Sequence, residues 1–351
     1  METAGRDISF MRRVNLIFRF SYTLAFFMAS ACGSLFAYLF FDPPVHIVIL
    51  MPLVVLFLAI FVNFSNDYFD HRSGVDKSVA ETRFVYNEEI AKAIDSKFLE
   101  KVYWEGNPFD DGLVTERQGK IIMSLLVLIS VILAIPIIFH GGLVVILFGA
   151  VGIFLSYFYT APPINMGARG LGEVNVAISF FMLVFCSFYV ATVNLSDADS
   201  VVFSLNVFDL DMFRFALGLF DIQIFVFAMI VGTLVGMMRL IDSLSGHEAH
   251  LAHNEKNIAA RIGLDGTVKV AKFFIIFAYA LNAVMVYLNP VFILLFLTLP
   301  LALKAWKITT EKKDYWRLRA PPLFFGNAFI TELLFVASVV VIRIFGITSL
   351  F

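Results

Sequence analysis

The densest chemistry in the sequence lies between Asn63 and Asp76, in NFSNDYFDHRSGVD, where three aspartates and two asparagines close a long run of Val, Leu, Ile and Phe. If the preceding helix continues past Asn63, then Asn63, Asn66, Asp67 and Asp70 fall at three- and four-residue steps and project to one side. Carboxylates gathered on one face repel one another unless a cation sits among them. Oxygen-only donors of this kind suit Mg2+, which commonly takes one or two carboxylates together with substrate phosphates. Gly74 lets the chain turn so that Asp76 comes back toward the group. A solvated helix end that merely marks a boundary uses the same residue types, although basic anchors are the usual choice at such a place.

A second polar cluster, MMRLIDSLSGHEAHLAHNEKNIAARIG, offers Asp242, His247, Glu248, His250, His253 and Glu255. Asp242 and His250 stand about two helical turns apart and share a face, as do Glu248 and Glu255 on another. HEAH lacks the spacing that puts two histidines on one face of a helix, so zinc is poorly served. Arg239, Lys256 and Arg261 flank the acids and suit phosphate oxygens, though anchoring at a membrane face explains them too. Two acid-bearing segments of this sort could hold Mg2+ and a diphosphate between them.

The elements that must position these clusters are membrane helices. Of 351 residues, 60% are hydrophobic and 15% charged, and the mean hydropathy is +0.86, which excludes a single soluble core with a solvated surface. Segments of about 20 apolar residues, enough to cross roughly 30 Å of hydrocarbon as helix, number about nine. They are expected near 14–41, 45–65, 120–139, 142–160, 173–194, 214–238, 269–288, 290–304 and 324–346. The seventh and eighth are broken only by LNP around Pro290. The first is too long, and its neighbours too apolar, for a cleaved signal peptide. Cys32 and Cys186 both fall inside spans, so neither a disulfide framework nor a cysteine zinc site is indicated.

Basic residues set the orientation. Arg6, Arg12, Arg13 and Arg19 crowd the N-terminus, and further Lys and Arg fill 66–119, NMGARG, 239–268 and KAWKITTEKKDYWRLR, while the alternate connections have none. The positive-inside rule puts the N-terminus and these loops in the cytoplasm and the C-terminus outside. The expected architecture is all-α, a polytopic bundle of about nine transmembrane helices, with 1–351 as one membrane domain and 66–119 and 239–268 as cytoplasmic polar loops. Within the first loop, EEIAKAIDSKFLEKVYW has apolar residues at helical spacing, which reads as an amphipathic helix lying on the membrane or over a cytoplasmic site.

Taken together, these stretches resemble the UbiA superfamily of intramembrane prenyltransferases. NDYFDHRSGVD is similar to its first aspartate-rich motif, in the form NDYxDxxxGxD of the branch that prenylates 1,4-dihydroxy-2-naphthoate for menaquinone. SYFYTAPPINMGARGLGEVNV resembles the same branch's element before the fifth helix, GLVTERQGK the lead into the third, and NEKNIAARIG the ending after the sixth. One stretch departs. Aligned through ARIG, DSLSGHEAH stands where the second acidic motif belongs, with Gly246 and His250 at acid positions and only Glu248 matching one.

The resemblance implies a Mg2+-dependent transferase that moves a polyprenyl group from its diphosphate to an aromatic acceptor, with 1,4-dihydroxy-2-naphthoate foremost. It also implies a multi-pass protein of the plasma membrane with its active site facing the cytoplasm, whose partners are the two substrates and membrane lipid. No nucleic-acid or protein partner is indicated. The expected metal ligands are Asp67, Asp70, Asp76, Asp242 and Glu248, with Asp67, Asp70 and Glu173 carrying the chemistry. Asn63, Asn66, Arg169, Lys256 and Arg261 are expected on the diphosphate, and by the resemblance Tyr159, Arg169 and Glu173 lie near the cytoplasmic end of helix five. Glu173 suits orienting or deprotonating an acceptor hydroxyl, and equally a helix N-terminal carboxylate favoured by the dipole. The alternatives are a different aromatic or lipid acceptor such as a phenazine or another quinone precursor, a silent isoprenoid-binding relative, and a transporter. Transport acids usually lie in mid-span, whereas these cluster at cytoplasmic ends.

Overall fold

Long apolar segments leave backbone N–H and C=O groups no partner in hydrocarbon but each other, and they close into helices. The computed structural model describes residues 17–74, 107–193, 219–245, 256–313 and 316–347, with single positions at 14, 247 and 251. Its helices are α1 (Phe20–Phe41), α2 (Val45–Ser73), α3 (Glu116–Gly141), α4 (Leu143–Tyr157), α5 (Gly172–Thr192), α6 (Leu219–Asp242), α7 (Ile258–Leu288), α8 (Leu299–Glu311) and α9 (Pro321–Phe345). A 3-10 segment, Pro290–Thr298, runs directly into α8, and a single turn, Trp316–Arg319, precedes α9. No strand occurs among the described residues. Counting the 3-10 segment and α8 as one, eight helices are long and apolar enough to cross a membrane; α4 is apolar but shorter. The chain is a multi-pass integral membrane protein.

Two boundaries differ from expectation in ways that matter for the site. α2 runs to Ser73 rather than ending near 65, so the acidic motif is helix and its three- and four-residue spacing acts on one surface. α7 begins at Ile258, inside the stretch expected as a loop to 268, and is broken at Gly263 by a φ of 70°. Glycine tolerates that left-handed torsion where a side chain would be strained. The expected amphipathic helix around 88–104 lies outside the described residues.

Local sequence explains the ends. Thr115 and Gln118 form a reciprocal capping box at the start of α3, satisfying backbone donors that the first turn leaves open. Asn257 accepts from the Ala260 N–H and caps α7. At the LNP break, Asn289 Oδ1 accepts from the Val291 N–H while its amide donates to the Ile347 carbonyl. Around the core, α1 packs on α2, α5 and α9, and α6 on α5, α7 and α9. At the α1–α5 crossing a Cβ added to Gly33 would stand 2.1 Å from the Val184 carbonyl oxygen, so only glycine admits this approach. Buried rings of Phe227, Phe292 and Phe335 stack in the interior. Large apolar side chains such as Ile121, Leu125, Leu128, Phe273 and Ile276 face outward, the reverse of a soluble protein and what lipid contact requires.

Candidate functional site

The C-terminal turns of α2 meet three other elements. Asp67 is 2% exposed, and its Oδ1 lies 2.5 Å from a terminal guanidinium nitrogen of Arg19, which is 26% exposed. Arg19 caps α1 in a left-handed conformation. The Asn107 amide donates to the Asp67 carbonyl oxygen at 2.7 Å. Asn63 donates to Thr23 Oγ1 at 3.3 Å, joining the starts of α1 and of the acidic face. One turn on, Asn66 Oδ1 accepts from Thr160 Oγ1 at 2.8 Å. Asp70 is half-buried, and beyond it His71 Nδ1 lies 2.5 Å from Asp110 Oδ1.

Thr160 belongs to the segment between α4 and α5, which folds back through hydrogen bonds from the Met166 N–H to the Phe158 carbonyl and from the Gly167 N–H to the Tyr159 carbonyl. Its neighbour Tyr159 points its chemistry the other way. Tyr159 Oη accepts from Arg239 Nε at 2.6 Å, and Arg239 Nη1 donates to Asp242 Oδ2 at 3.0 Å. The guanidinium carbon sits 5.9 Å from the Tyr159 ring centroid, within the range of a cation–π contact. Burial pushes the Tyr159 phenol above its ordinary value of 10.0, the charges of Glu173 and Asp70 push the same way, and Arg239 opposes them. Asp70, Glu173, Tyr159 and Arg239 therefore share one electrostatic neighbourhood. Adjacent hydroxyls of Tyr159 and Thr160 bridge the acidic face of α2 to the end of α6.

Glycines make this bridge fit. A Cβ on Gly172 would lie 3.3 Å from Tyr159 Oη, and one on Gly236 would lie 2.8 Å from Ala177 Cβ and 3.2 Å from the Glu173 carbonyl oxygen. Glu173, in the first turn of α5, is buried, and among the described residues its Oε2 has no hydrogen-bond partner. Both earlier readings of Glu173 survive, since the first turn also favours a carboxylate through the helix dipole.

The basic residues expected on phosphate divide. Arg261 donates from Nε to the Lys256 carbonyl and from Nη2 to the Arg169 carbonyl, both at 2.7 Å. The Lys256 N–H in turn donates to the Ala168 carbonyl at 2.7 Å, so Arg261 ties the α4–α5 segment to the start of α7. Gly170 is the hinge of that contact: its φ is 82°, and a Cβ there would meet the Lys256 oxygen at 2.4 Å. Arg169 donates to the Pro163 carbonyl at 2.9 Å. Asp76 and Glu248 lie outside the described residues.

Among the described residues no three His, Cys, Asp or Glu side chains gather into a ready-made metal cage. What α2 offers is two carboxylates, Asp67 and Asp70, one turn apart with amides beside them. That all-oxygen set fits Mg2+, which completes its octahedron with water and phosphate oxygens. Sequence reasoning counted Arg19 only among the basic residues that set the orientation and passed over Thr23, Asn107 and Thr160. Only Thr160 carried a signal, its place next to Tyr159.

A model of the UbiA prenyltransferase family matches residues 24–331. The chain belongs to that family. Solved UbiA-family structures share its fold. A UbiA homologue from Archaeoglobus fulgidus bound to DMAPP and Mg2+ matches with a TM-score of 0.61 at 16% identity, over 97% of this chain and 100% of that one. A structure described for digeranylgeranylglyceryl phosphate synthase in membranes matches with a TM-score of 0.57 at 12% identity, over 94% and 98%. An apo UbiA homologue from Aeropyrum pernix K1 matches with a TM-score of 0.53 at 16% identity, over 89% and 98%. A search among curated proteins found no match. The UbiA family membership rests on the chain's own sequence; the structural likenesses speak to the fold.

Proposed function

We propose that this UbiA-family protein is a Mg2+-dependent prenyltransferase that moves a polyprenyl group from its diphosphate to 1,4-dihydroxy-2-naphthoate, on the cytoplasmic side of the plasma membrane. The observation that carries the reading is the bridge of Tyr159 and Thr160, which brings the acids of α2 within electrostatic reach of Glu173 and Arg239. The donor set, the family, and a homologue bound to DMAPP and Mg2+ support the same chemistry. The preference for the naphthoate rests on the motif resemblance alone.

In this reading Asp67 and Asp70 hold Mg2+, with Asp76 and Glu248 as further ligands, and Asn63 and Asn66 orient the acidic face. When bound, Mg2+ supplies charge stabilisation to the departing diphosphate. The allylic C–O bond breaks with its electron pair leaving on the diphosphate, the electron-rich acceptor ring attacks the allylic carbon, and the ring carbon that forms the new bond gives up its proton to the departing diphosphate, which restores aromaticity. Glu173, buried and with one oxygen without a partner, orients or deprotonates an acceptor hydroxyl. Arg169, Lys256 and Arg261 serve the diphosphate by holding the α4–α5 segment over the site. The surrounding apolar helices exclude water, which would otherwise capture an allylic cation.

The test is Mg2+-dependent release of diphosphate from labelled prenyl diphosphate by the purified full chain, run with 1,4-dihydroxy-2-naphthoate beside a panel of other aromatic acceptors. Prenylated naphthoate that disappears in Asp67→Asn and Asp70→Asn supports the proposal. Transfer only to another acceptor keeps the chemistry and overturns the acceptor. Absence of Mg2+-dependent turnover or binding with every donor and acceptor overturns the transferase itself.

A further inference from the structure

A strongly basic groove between α7 and α8 lies outside the site described above. Residues 265–272 of α7 and 303–313 at the end of α8 hold six lysines and two carboxylates, so this surface stays positive after each acid is paired. Three contacts lay the two stretches side by side. Lys312 pairs with Asp265, Lys272 Nζ donates to Thr310 Oγ1 at 2.7 Å, and the same ammonium stands 5.0 Å from the centroid of the Trp306 ring, a cation–π distance. The other acid, Glu311, is shared between Lys307 at 3.8 Å and Lys313 at 3.4 Å.

Exposed side chains give the groove its level in the membrane. Lys272 faces α8, and Lys269 and Ile276, three residues before and four after it, flank it on the same strip of α7; both are exposed. Trp306 and Thr310 face α7, and exposed Leu303 and Lys307 each stand three residues before one of them. Lys269 and Lys307 therefore occupy the two rims of one groove. Deeper along the same rims the exposed residues are apolar, with Phe273 and Ile276 on α7 and Leu303 on α8. Both helices turn from apolar to basic at the depth of Trp306, a residue type that settles where hydrocarbon meets headgroups.

We propose that this groove binds an anionic phospholipid of the surrounding membrane, its phosphate between Lys269 and Lys307 and its acyl chains along Phe273, Ile276 and Leu303. Lysines that only anchored a helix would need no facing partner on the next one. Here two rims of opposite helices, a floor of Lys272 on Trp306 and an apolar wall below match a molecule that is anionic at one end and hydrocarbon at the other. A lysine suits the headgroup because its stem lies along apolar surface while its compact ammonium reaches the phosphate. A zwitterionic lipid carries its own cation beside the phosphate and gains less from the groove. The substrate site is separate: α7 breaks at Gly263, and Arg261, before the break, turns to the α4–α5 segment.

Trp306 makes the proposal measurable. In the full chain carrying Trp104→Phe and Trp316→Phe it is the sole tryptophan, and its quenching is followed in phosphatidylcholine nanodiscs that contain a minor share of phosphatidylglycerol, with one lipid or the other brominated. Brominated phosphatidylglycerol is expected to quench Trp306 more strongly than brominated phosphatidylcholine at the same fraction. Lys269→Gln and Lys307→Gln should each lower that preference roughly fivefold, the worth of one basic residue beside a charged membrane surface. Arg117→Gln, exposed on α3, which packs on α2, should leave it in place. Native mass spectrometry of the chain with all its tryptophans gives a second reading, in which phosphatidylglycerol stays bound to the unaltered protein and is lost from the double lysine variant. Equal quenching by the two lipids overturns the proposal, as does a preference that survives the double lysine variant. An equal drop in Arg117→Gln overturns it in favour of general surface charge, and loss of the preference on adding DMAPP at constant ionic strength assigns the groove to the substrate instead.

Discussion

Asp67 has two jobs in this structure, and substitution can separate them. It is almost fully buried against Arg19, which keeps about a quarter of its surface in contact with solvent, and it heads the acidic face assigned to Mg2+. Asp67→Asn preserves shape and removes the charge. Breaking a fully buried ion pair from one side costs about 3–5 kcal/mol. Here the partner left behind is Arg19, and water reaches it, so the loss is closer to that of one charge-assisted hydrogen bond, about 1.5–3 kcal/mol. Arg19→Gln breaks the same pair from the other side and leaves the carboxylate. Thermal unfolding of the full chain in detergent is expected to show the larger destabilisation in Arg19→Gln, which leaves the buried carboxylate behind at a cost toward about 3–5 kcal/mol, with the double variant less destabilised than the sum because the two changes share one interaction. Metal-dependent binding should split them. Asp67→Asn loses Mg2+-dependent binding of DMAPP, while Arg19→Gln retains it. Equal loss of Mg2+ dependence in both variants would refute the reasoning, because Asp67 would then act only by anchoring α1. So would Asp67→Asn binding Mg2+ and DMAPP normally.

Four other outcomes follow from particular contacts. Thr160→Val removes the donor to Asn66 Oδ1; unfolding measurements should show a cost of about 1 kcal/mol, with weaker Mg2+-dependent turnover in a protein that still folds. Gly170→Ala forces a left-handed torsion and a clash with the Lys256 carbonyl, so a loss of about 2–4 kcal/mol is expected from torsion and overpacking together, and limited proteolysis should show the α4–α5 segment parting from α7. Asp111 is pushed above the usual 3.8 by burial and then by the charge of Asp110; the folded chain therefore binds this proton more tightly than the unfolded one, and stability rises as pH falls through the window just above 3.8. Asp111→Asn should flatten that rise and modestly stabilise the protein at neutral pH, read by thermal unfolding as a function of pH. Glu332 is wholly buried in α9 and, among the described residues, neither carboxyl oxygen has a hydrogen bond, so Glu332→Gln, which removes an ionisable group of the same shape, should leave prenyl transfer intact, as measured by product formation.

The helices were legible because apolar runs of membrane length have no other way to satisfy their backbone. The acidic face was legible for a local reason, since Asn63, Asn66, Asp67 and Asp70 share a surface as soon as α2 continues, and its continuation to Ser73 is what the structure shows. What could not be read is whatever depends on pairing between distant segments. Arg19 and Asp67 are separated by the whole of α1 and most of α2, and nothing in the sequence around Arg19 marks it as turning inward. Arg261 reads from sequence as a phosphate ligand because its charge is visible and its orientation is not; in the structure two of its nitrogens are spent on backbone carbonyls. The end of α2 was misjudged because hydropathy fades where polar residues begin, although the helix does not.

The contrast between Glu332 and the acidic face also decides between transfer and transport. A carrier needs ionisable groups reached alternately from both sides, with polar partners along the way. Glu332 does lie within a span, yet its side chain is buried and, among the described residues, neither carboxyl oxygen has a hydrogen-bond partner. Asp67 contacts Arg19, Asn66 contacts Thr160 from another segment, and Arg239 and Tyr159 close the opposite side at the same helix ends. Polar groups connected to one another around the ends of the helices, above an apolar interior, suit a substrate whose charged head stays at the surface while its hydrocarbon tail enters the bilayer. A prenyl diphosphate divides in that way, and an ion or small polar solute does not.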